Sequence, residues 1–245
     1  MSGECINIAE KIPAGTRALL ERVGRLAQQR RVEAYAVGGC VRDWCLGLRR
    51  LTDVDVTVRN DGIAFARALA ADLGGEVESH GQFGTATIRG IGRAGHRLDV
   101  ATCRRETYRR PAAYPSVQPG TLQDDLARRD FTVNAMAAAL HPECFGGLVD
   151  PFGGRADLRA RCLRILHPKS FVDDPSRILR GVRFSVRFGL RWEPATARAL
   201  RQAVAQGALG WLNAGRLEKE LLRMLEEPDP RACLRALADV LSGSW

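Results

Sequence analysis

Apolar residues near the start of the chain recur at the three- and four-residue spacing that is typical of an amphipathic helix. The pattern predicts a helix over residues 16–30, inside an N-terminal segment of residues 1–32. From residue 53 to residue 58 apolar and polar residues alternate strictly, which predicts a strand with one buried face. Short apolar runs predict further strands near 32–37, 76–79, 83–89 and 96–102, with helices at 40–47 and 63–73 between them.

The pattern changes in the second half of the chain. Residues 109–121 are rich in proline and have no period, so we predict a loop there. Strand signals stop after Gly154, and from Asp174 onward the apolar spacing is helical. These patterns predict an α+β protein, in which a mixed sheet with flanking helices (residues 33–160) precedes an all-helical segment (residues 161–245).

The charge balance bears on what the protein binds. The net charge is +9, from 37 lysine and arginine residues against 28 acidic ones, and almost all of the positive charge is arginine. The planar guanidinium of arginine can donate two hydrogen bonds to one phosphate, so one interpretation of the charge is that the protein binds a polyanion such as nucleic acid. The other is a GC-rich genome, which encodes basic residues as arginine.

Cysteine usage and hydropathy bear on the compartment. Seven cysteines are scattered along the chain without a spacing typical of zinc sites, which favours reduced thiols in a cytosolic protein. The N-terminus lacks an apolar signal core, and no run approaches the roughly 20 apolar residues that span a bilayer. We therefore expect a cytoplasmic protein with no membrane partner.

Two carboxylates stand out on the alternating strand. Asp53 and Asp55 leave the same face, while Val54 and Val56 point to the core. Their Cα atoms lie about 6.5–7 Å apart, so both can reach one small ion. Oxygen ligands of this kind suit Mg²⁺, whose remaining positions are filled by water and substrate phosphate. The alternative is the solvated face of an ordinary strand, and Asp99, which alternation also turns away from the core, is open to both interpretations.

The preceding turn favours a metal site. Gly38 and Gly39 follow a predicted strand and open a predicted helix, where backbone N–H groups can approach a phosphate. Arg42 lies just beyond and can reach the same phosphates. A phosphate-binding turn followed by a metal-binding strand would supply the phosphate site and the metal site that phosphoryl transfer uses.

Four ordered motifs carry a family resemblance. The segment from Gly38 to Asp43, followed by Leu46-Gly47 and Asp53-Val54-Asp55, resembles the first signature of class II CCA-adding enzymes and bacterial poly(A) polymerases. These enzymes belong to the nucleotidyltransferase superfamily that includes DNA polymerase β. Three further segments resemble the family's ribose-reading block, its block between head and neck, and its base-reading helix: 124–136, 150–154 and 173–183. Residues 215–221 are similar to a weaker neck motif.

The resemblance implies roles for individual residues. Asp53 and Asp55 would bind the metal and catalyse the transfer, and Asp130 and Asn134 would contact the ribose hydroxyls. We predict that the latter two share a face at the start of a helix, and Asp130 has helix capping as its alternative role. The remaining nucleotide-binding residues would be Gly38, Gly39, Arg42, Arg129, Asp174, Arg177, Arg180 and Arg183.

Base choice has a chemical explanation in Asp174 and Arg177, which we predict to be neighbours on one helix. A carboxylate accepts hydrogen bonds and a guanidinium donates them. Cytosine and adenine each offer an amino donor beside a ring acceptor, so the pair satisfies both bases. Guanine and uracil present the reverse order, which leaves unpaired buried groups and gives discrimination of about 10⁴-fold or more. Arg180, Arg183 and Arg187 extend the same helix face toward a triphosphate.

The family implies template-independent addition of CMP and AMP to RNA 3′ ends, with CTP and ATP as substrates and tRNA as partner. In the mechanism we expect, a metal on Asp53 and Asp55 makes the RNA 3′-hydroxyl more acidic, and this hydroxyl attacks the α-phosphate in line. Pyrophosphate then leaves against Arg42, Arg180 and Arg183.

Several alternatives stay open. The family also contains poly(A) polymerases and enzymes that add only CC or only A, although the loop at 109–121 argues mildly against a CC-only enzyme. An alternative of another class is a nucleotide-binding head or RNA-binding module that is inactive without a partner. Family members continue into body and tail domains that hold the tRNA. We expect that a homo-oligomer or a separate chain supplies this anchor, or that the chain is a fragment, or that the enzyme adds fewer or different nucleotides. Asp173 stands where the family pattern has glutamate.

Overall fold

The computed structural model describes residues 6–48, 53–81, 84–91 and 96–245, which fold into two compact units. The first unit comprises Met1–Glu106, Val117–Arg129 and Asn134–Arg155. The second comprises Thr107–Ser116, Asp130–Val133 and Ala156–Trp245.

The first unit is built on a seven-stranded mixed sheet. The strands are β1 (Ala34–Val37), β2 (Val54–Val58), β3 (Glu76–His80), β4 (Thr85–Ile91), β5 (His96–Thr102), β8 (Ala137–Ala139) and β9 (Leu148–Val149). They lie in the order β3-β4-β5-β2-β1-β8-β9, and neighbouring strands run antiparallel except β2 and β5, which are parallel. A separate two-stranded sheet pairs β6 (Arg104–Thr107) with β7 (Ser116–Pro119).

Four helices belong to the first unit: α1 (Ala14–Arg30), α2 (Gly39–Cys45), α3 (Gly62–Leu73) and α4 (Leu122–Ala127). Helix α3 packs on β4 and β5, and its first turn is capped by Asp61, whose carboxylate accepts the Ala64 N–H at 2.9 Å. The valines of β2 are at most 3% exposed, as the alternation predicts for the core side of the strand. The strand thus exposes Asp55, whereas its other polar residue, Thr57, is buried at 1% exposure.

The second unit is mainly helical and has an aromatic centre. Its helices are α6 (Ser170–Asp173), α7 (Ser176–Phe188), α8 (Pro194–Ala205), α9 (Ala214–Leu225) and α10 (Pro230–Ser242), together with most of α5 (Gly154–Arg159), whose first two residues belong to the first unit. The Phe131 ring lies 6.1–6.4 Å from the rings of Phe171, Phe184 and Trp192. Gly181 on α7 leaves room for Phe131 and Trp192, because a Cβ there would collide with both. Helix α7 is therefore anchored in the core along one side.

The structure confirms the α+β class and most predicted elements. The predicted segments at 16–30, 32–37, 40–47, 53–58, 63–73, 76–79 and 96–102 each correspond to an observed helix or strand. The predicted strand at 83–89 is β4, although its first residue lies outside the described residues. No helix in the described part of the chain is long and apolar enough to cross a membrane.

Two predictions about regular structure were wrong. The segment 109–121 is not all loop, because 116–119 forms β7. A two-stranded edge pairing tolerates the proline at the end of β7, which a central strand would not. Strands also do not stop after Gly154, since β10 (Cys162–Leu163) and β11 (Arg191–Trp192) form a short parallel pair. Two-residue strands are too short to produce an alternating pattern.

Candidate metal and nucleotide site

The carboxylate pair lies at one end of β2. Asp55 is the second residue of the strand, and Asp53 immediately precedes it. Both are exposed, whereas Val54 between them is 3% exposed. The structure thus confirms that the alternating pattern separates these carboxylates from the core.

Asp99 lies beside the pair but is already engaged. It is the register partner of Asp55 across the parallel β2–β5 pairing, so the two residues share a face of the sheet. Its carboxylate accepts a hydrogen bond from Thr87 Oγ1 at 2.5 Å and lies 2.9 Å from an Arg97 nitrogen. Arg97 also reaches to 3.8 Å from Asp53. Within the described residues, no three histidine, cysteine or acidic side chains converge as they would at a closed metal site.

The surroundings of Asp55 disfavour its charge. Loss of hydration among neighbouring protein atoms raises the pKa of its carboxyl group, and the charges of Asp99 and Asp53 raise it further. The guanidinium of Arg129 opposes this shift. A cation held by this carboxylate would therefore relieve an existing electrostatic cost.

The glycine turn before α2 accommodates an arginine. Gly38 has a φ of 78°, in the left-handed region that favours glycine. A Cβ at this position would collide with the guanidinium of Arg129. Any other residue at 38 would thus be strained and would displace Arg129. Gly39, the first residue of α2, follows directly.

Arg129 is held by a buried acid and retains an unused donor. Its Nη2 donates to Asp125 Oδ2 at 3.1 Å, and its buried Nε has no hydrogen-bond partner among the described residues. Asp125 is 0% exposed and also accepts from Arg128 at 2.8 Å. Burial opposes the charge on Asp125, but Arg128 and Arg129 outweigh it and hold its pKa below the usual range. Sequence reasoning missed Asp125, although it lies inside the segment 124–136.

Arg42 is buried in contact with an acid and an amide. Its Nε donates to Asp43 Oδ1 at 2.8 Å, and its Nη1 donates to Asn134 Oδ1 at 2.5 Å. The structure therefore brings together two of the predicted nucleotide-binding residues, Arg42 and Asn134, which lie 92 positions apart.

The prediction that Asp130 and Asn134 share the face of a helix was wrong. Residues 132–134 form a single 3₁₀ turn, and the two residues belong to different units. Asp130 accepts hydrogen bonds from Arg180 Nε and Nη2 at 2.8 and 2.6 Å, while Asn134 accepts from Arg42. A spacing of four residues favours a shared face only where the backbone continues as an α-helix.

The second unit carries the predicted base-reading pair. Asp174 lies between α6 and α7 in an extended conformation, so the prediction that it is part of the helix was wrong. Its Oδ2 is nevertheless 4.0 Å from Arg177 Nε, which confirms that the two are neighbours. Arg177 is 4% exposed and donates from Nη1 to Ser170 Oγ at 2.7 Å.

Arg216 on α9 also contacts Asp174. Its Nη2 donates to Asp174 Oδ1 at 2.5 Å, and its Nη1 donates to the carbonyl oxygen of Ala112 at 3.0 Å. The sequence signal for this residue is its place in the weaker neck motif, residues 215–221. A contact across 42 positions cannot be read from the spacing of either motif.

The basic face of α7 is paired with acids. Arg183 Nη1 donates to Glu227 Oε1 at 2.9 Å, and Arg187 Nη1 reaches the same oxygen at 3.3 Å. Arg180 is bound by Asp130. Each of these guanidiniums would have to exchange or share its acidic partner before it could bind a phosphate.

Comparisons with known proteins agree with the motifs. Residues 34–164 match the family described as Poly A polymerase head domain. The chain is 42% identical over 224 residues to the A-adding tRNA nucleotidyltransferase of Halalkalibacterium halodurans. This match covers 91% of this chain and 52% of that protein. It is 37% identical over 205 residues to the CC-adding tRNA nucleotidyltransferase of Deinococcus radiodurans, covering 84% of this chain and 53% of that one.

A solved structure agrees with the fold. The apo form II of a CCA-adding enzyme superposes with a TM-score of 0.88 at 40% identity, covering 94% of this chain and 54% of that chain. The chain thus spans about half the length of the first of these relatives and of this structure.

Proposed function

Since the chain belongs to the family of the poly(A) polymerase head domain, we propose that it is a template-independent nucleotidyltransferase that adds CMP or AMP to tRNA 3′ ends. The observation that carries the proposal is the pair Asp53 and Asp55, exposed on a strand whose other face is core. Asp55 has a raised pKa there. Perturbed carboxylates of this kind are typical of functional sites.

The donor set fits Mg²⁺. Asp53 and Asp55 supply hard oxygen ligands, and Mg²⁺ commonly uses one or two carboxylates together with substrate phosphates rather than an all-protein cage. Asp99 is engaged by Arg97 and Thr87, so we assign Asp53 and Asp55 as ligands. When bound, the ion would make the RNA 3′-hydroxyl more acidic and neutralise charge on the phosphates.

In this proposal the chain binds and orients the nucleotide through two sets of residues. In the first unit, the turn at Gly38 and Gly39 and the unused Nε of Arg129 bind phosphate oxygens. In the second, Asp174 and Arg177 accept from and donate to the base. The remaining proposed contacts are those of Arg42, Asp130, Asn134, Arg180 and Arg183. Like Arg129, Asp174 and Arg177, these residues are paired within the protein in this structure.

Addition of AMP alone is a second candidate, and the comparisons favour it. Relatives named A-adding tRNA nucleotidyltransferases are 42–46% identical to this chain, including one from Aquifex aeolicus at 46% over 196 residues. The CC-adding relative and a multifunctional CCA protein from Pseudomonas aeruginosa are 37% and 36% identical.

Primer extension with Mg²⁺ separates these functions. The primers are tRNA that lacks CCA, tRNA that ends in CC, and an unstructured RNA, each supplied with CTP, ATP, UTP or GTP singly and together. Addition of C, C and A to the first primer supports CCA addition, and a single A on the second primer alone supports A addition.

Two results would contradict tRNA-directed addition. Long A tails on the unstructured RNA would indicate a poly(A) polymerase. A chain that binds ATP but extends no primer would be a nucleotide-binding head that is inactive without a partner. The control is a variant in which Asp53→Asn and Asp55→Asn are combined, which should extend none of the primers.

A further inference from the structure

A surface pocket lies in the segment that joins β6 to β7. Its volume is about 420 Å³, within the range of small-ligand sites. It belongs entirely to the second unit. The lining residues are Arg109, Arg110, Ala113, Tyr114, Pro115 and Ser116.

Two arginines of this pocket are available to a ligand. Arg109 and Arg110 are exposed, and neither side chain has a hydrogen bond or ion pair within the described part of the chain. The arginines of α7 in the same unit differ, because Arg180, Arg183 and Arg187 all have acidic partners. No acidic residue is among the lining residues, so the lining of the pocket itself is positively charged.

An exposed aromatic ring stands beside these charges. The side chain of Tyr114 is 70% exposed, which is unusual for a large aromatic residue. Its hydroxyl oxygen lies 3.3 Å from Asn213 Nδ2, and the Arg216 guanidinium lies 5.7 Å from the ring centroid. These two contacts orient the ring while most of its surface stays open to solvent.

We infer that this pocket binds the single-stranded 3′ end of the RNA substrate, with Arg109 and Arg110 on the phosphates and a base stacked on Tyr114. Cationic side chains next to an exposed aromatic ring are the chemistry that holds single-stranded nucleic acid. A nucleoside triphosphate fits less well, because it carries a metal ion and the lining residues offer no carboxylate for it. The inference deepens the proposed function by assigning a surface for its RNA substrate.

The charge contribution is tested by fluorescence anisotropy with a labelled single-stranded RNA and the full chain. The variant combines Arg109→Gln with Arg110→Gln, and the control combines Arg25→Gln with Arg30→Gln on the exposed side of α1. Both variants lose the same charge. We expect the slope of log affinity against log salt to fall by about 1.4 in the first variant, for two lost phosphate contacts. Equal slopes in the two variants would overturn the inference.

The stacking contribution is tested by Tyr114→Ala against Tyr114→Phe. The alanine variant should bind RNA about 5- to 140-fold more weakly, whereas phenylalanine keeps the ring and should stay within about twofold of the wild type. ATP affinity, measured by calorimetry, should not change in either variant. Equal RNA binding by the two variants, or a loss of ATP binding instead, would refute the assignment.

This test is independent of catalysis. If the wild type extends no primer but its RNA binding depends on Arg109, Arg110 and Tyr114, the proposed function fails and the RNA surface stands. If primers are extended and the RNA affinity does not depend on these three side chains, the proposed function stands and the assignment of the RNA surface is wrong. Thermal melting of each variant checks that the second unit remains folded.

Discussion

At the scale of single residues, the carboxylate of Asp55 on β2 lies where its charge is costly. Asp55 faces Asp99 in the register of two parallel strands and follows Asp53 by two positions. Desolvation and these like charges raise its pKa, so the ionised form is less stable in the folded protein than in the unfolded chain. Such a cost is retained where function requires it, and a bound cation would remove it.

Asp55→Asn should have opposite effects on activity and stability. Loss of a metal ligand should lower the single-turnover rate of primer extension by about 10³-fold or more. The raised folded pKa means that ionised Asp55 destabilises the fold above that pKa. The penalty shrinks as the pH falls below the folded pKa and is gone below the pKa of the unfolded chain. The variant should therefore be more stable than the wild type near pH 7 and equal to it in acid, as measured by urea unfolding.

Asp99→Asn is the matched control for this experiment. Its carboxylate is held by Arg97 and Thr87, so we expect a loss of activity below about tenfold at this position. A loss as large as that of Asp55→Asn would show that Asp99 is a third ligand. A wild-type rate in Asp55→Asn would contradict the assignment of the pair.

Asp125 illustrates how a buried acid can act through its neighbour. It holds the guanidinium of Arg129, whose position also depends on Gly38. Asp125→Asn should weaken ATP binding about tenfold. The aspartate carboxylate accepts hydrogen bonds through both oxygens, whereas the asparagine amide has one accepting oxygen and no charge, so it would hold the Arg129 guanidinium less firmly.

The readout for Asp125 is a double-mutant cycle on ATP affinity. If Asp125 acts through Arg129, then Asp125→Asn should have no further effect in an Arg129→Ala background. Additive losses would indicate a general structural role instead. Gln123→Ala at an exposed position of α4 is the neighbouring control, and unfolding curves for each variant report the accompanying change in stability.

At the scale of elements, the segment between α9 and α10 stabilises α7 by an ion pair. Glu227 accepts from both Arg183 and Arg187, and its side chain is only 5% exposed. Glu227→Gln should lower the free energy of unfolding by about 3 kcal/mol, because the buried Arg183 would lose its nearest acid and keep only Glu220, 3.9 Å away. Urea unfolding measures this loss. Glu226→Gln, at an exposed neighbouring position, should change the stability by less than about 0.5 kcal/mol.

Helix α9 contributes to the conformation of Asp174 through Arg216. Arg216→Ala removes the 2.5 Å hydrogen bond and leaves Asp174 Oδ1 with the backbone N–H and hydroxyl of Ser176 as its donors. The carboxylate is then less firmly fixed, so we expect the preference for CTP over UTP to fall about tenfold. The measurement is the ratio of kcat/KM for the two nucleotides on one primer. Lys219→Ala, exposed on the same helix, should leave the ratio unchanged. Unaltered selectivity in Arg216→Ala would show that Asp174 is positioned by other groups.

At the scale of the whole molecule, the net charge of +9 predicts salt-sensitive RNA binding. A protein that contacts about three phosphates of a single strand loses roughly 20-fold in affinity between 50 and 200 mM salt. The same titration with ATP should show a weaker dependence, since the triphosphate is bound together with a divalent cation. Salt-independent RNA affinity would indicate that the excess of arginine reflects codon usage rather than a polyanionic partner.

Local patterns in the sequence determined most of the elements and the position of the carboxylate pair. The alternation over 53–58 is decisive because side chains on a strand leave opposite faces in turn, whatever the strand pairs with. In the same way, the apolar spacing of α7 follows from 3.6 residues per turn. Both patterns are complete within one element, so they could be read without the rest of the chain. The four motifs that resemble those of a known enzyme family added the expectation of nucleotide transfer.

Only the tertiary structure decided which charges meet. Arg42 and Asn134, Arg183 and Glu227, and Asp174 and Arg216 are each separated by 42 to 92 positions. No periodicity links such distant residues, because their contact depends on how whole elements pack. For the same reason the sequence presented the arginines of α7 as a free basic face, whereas the fold supplies their acids and leaves Arg109 and Arg110 exposed.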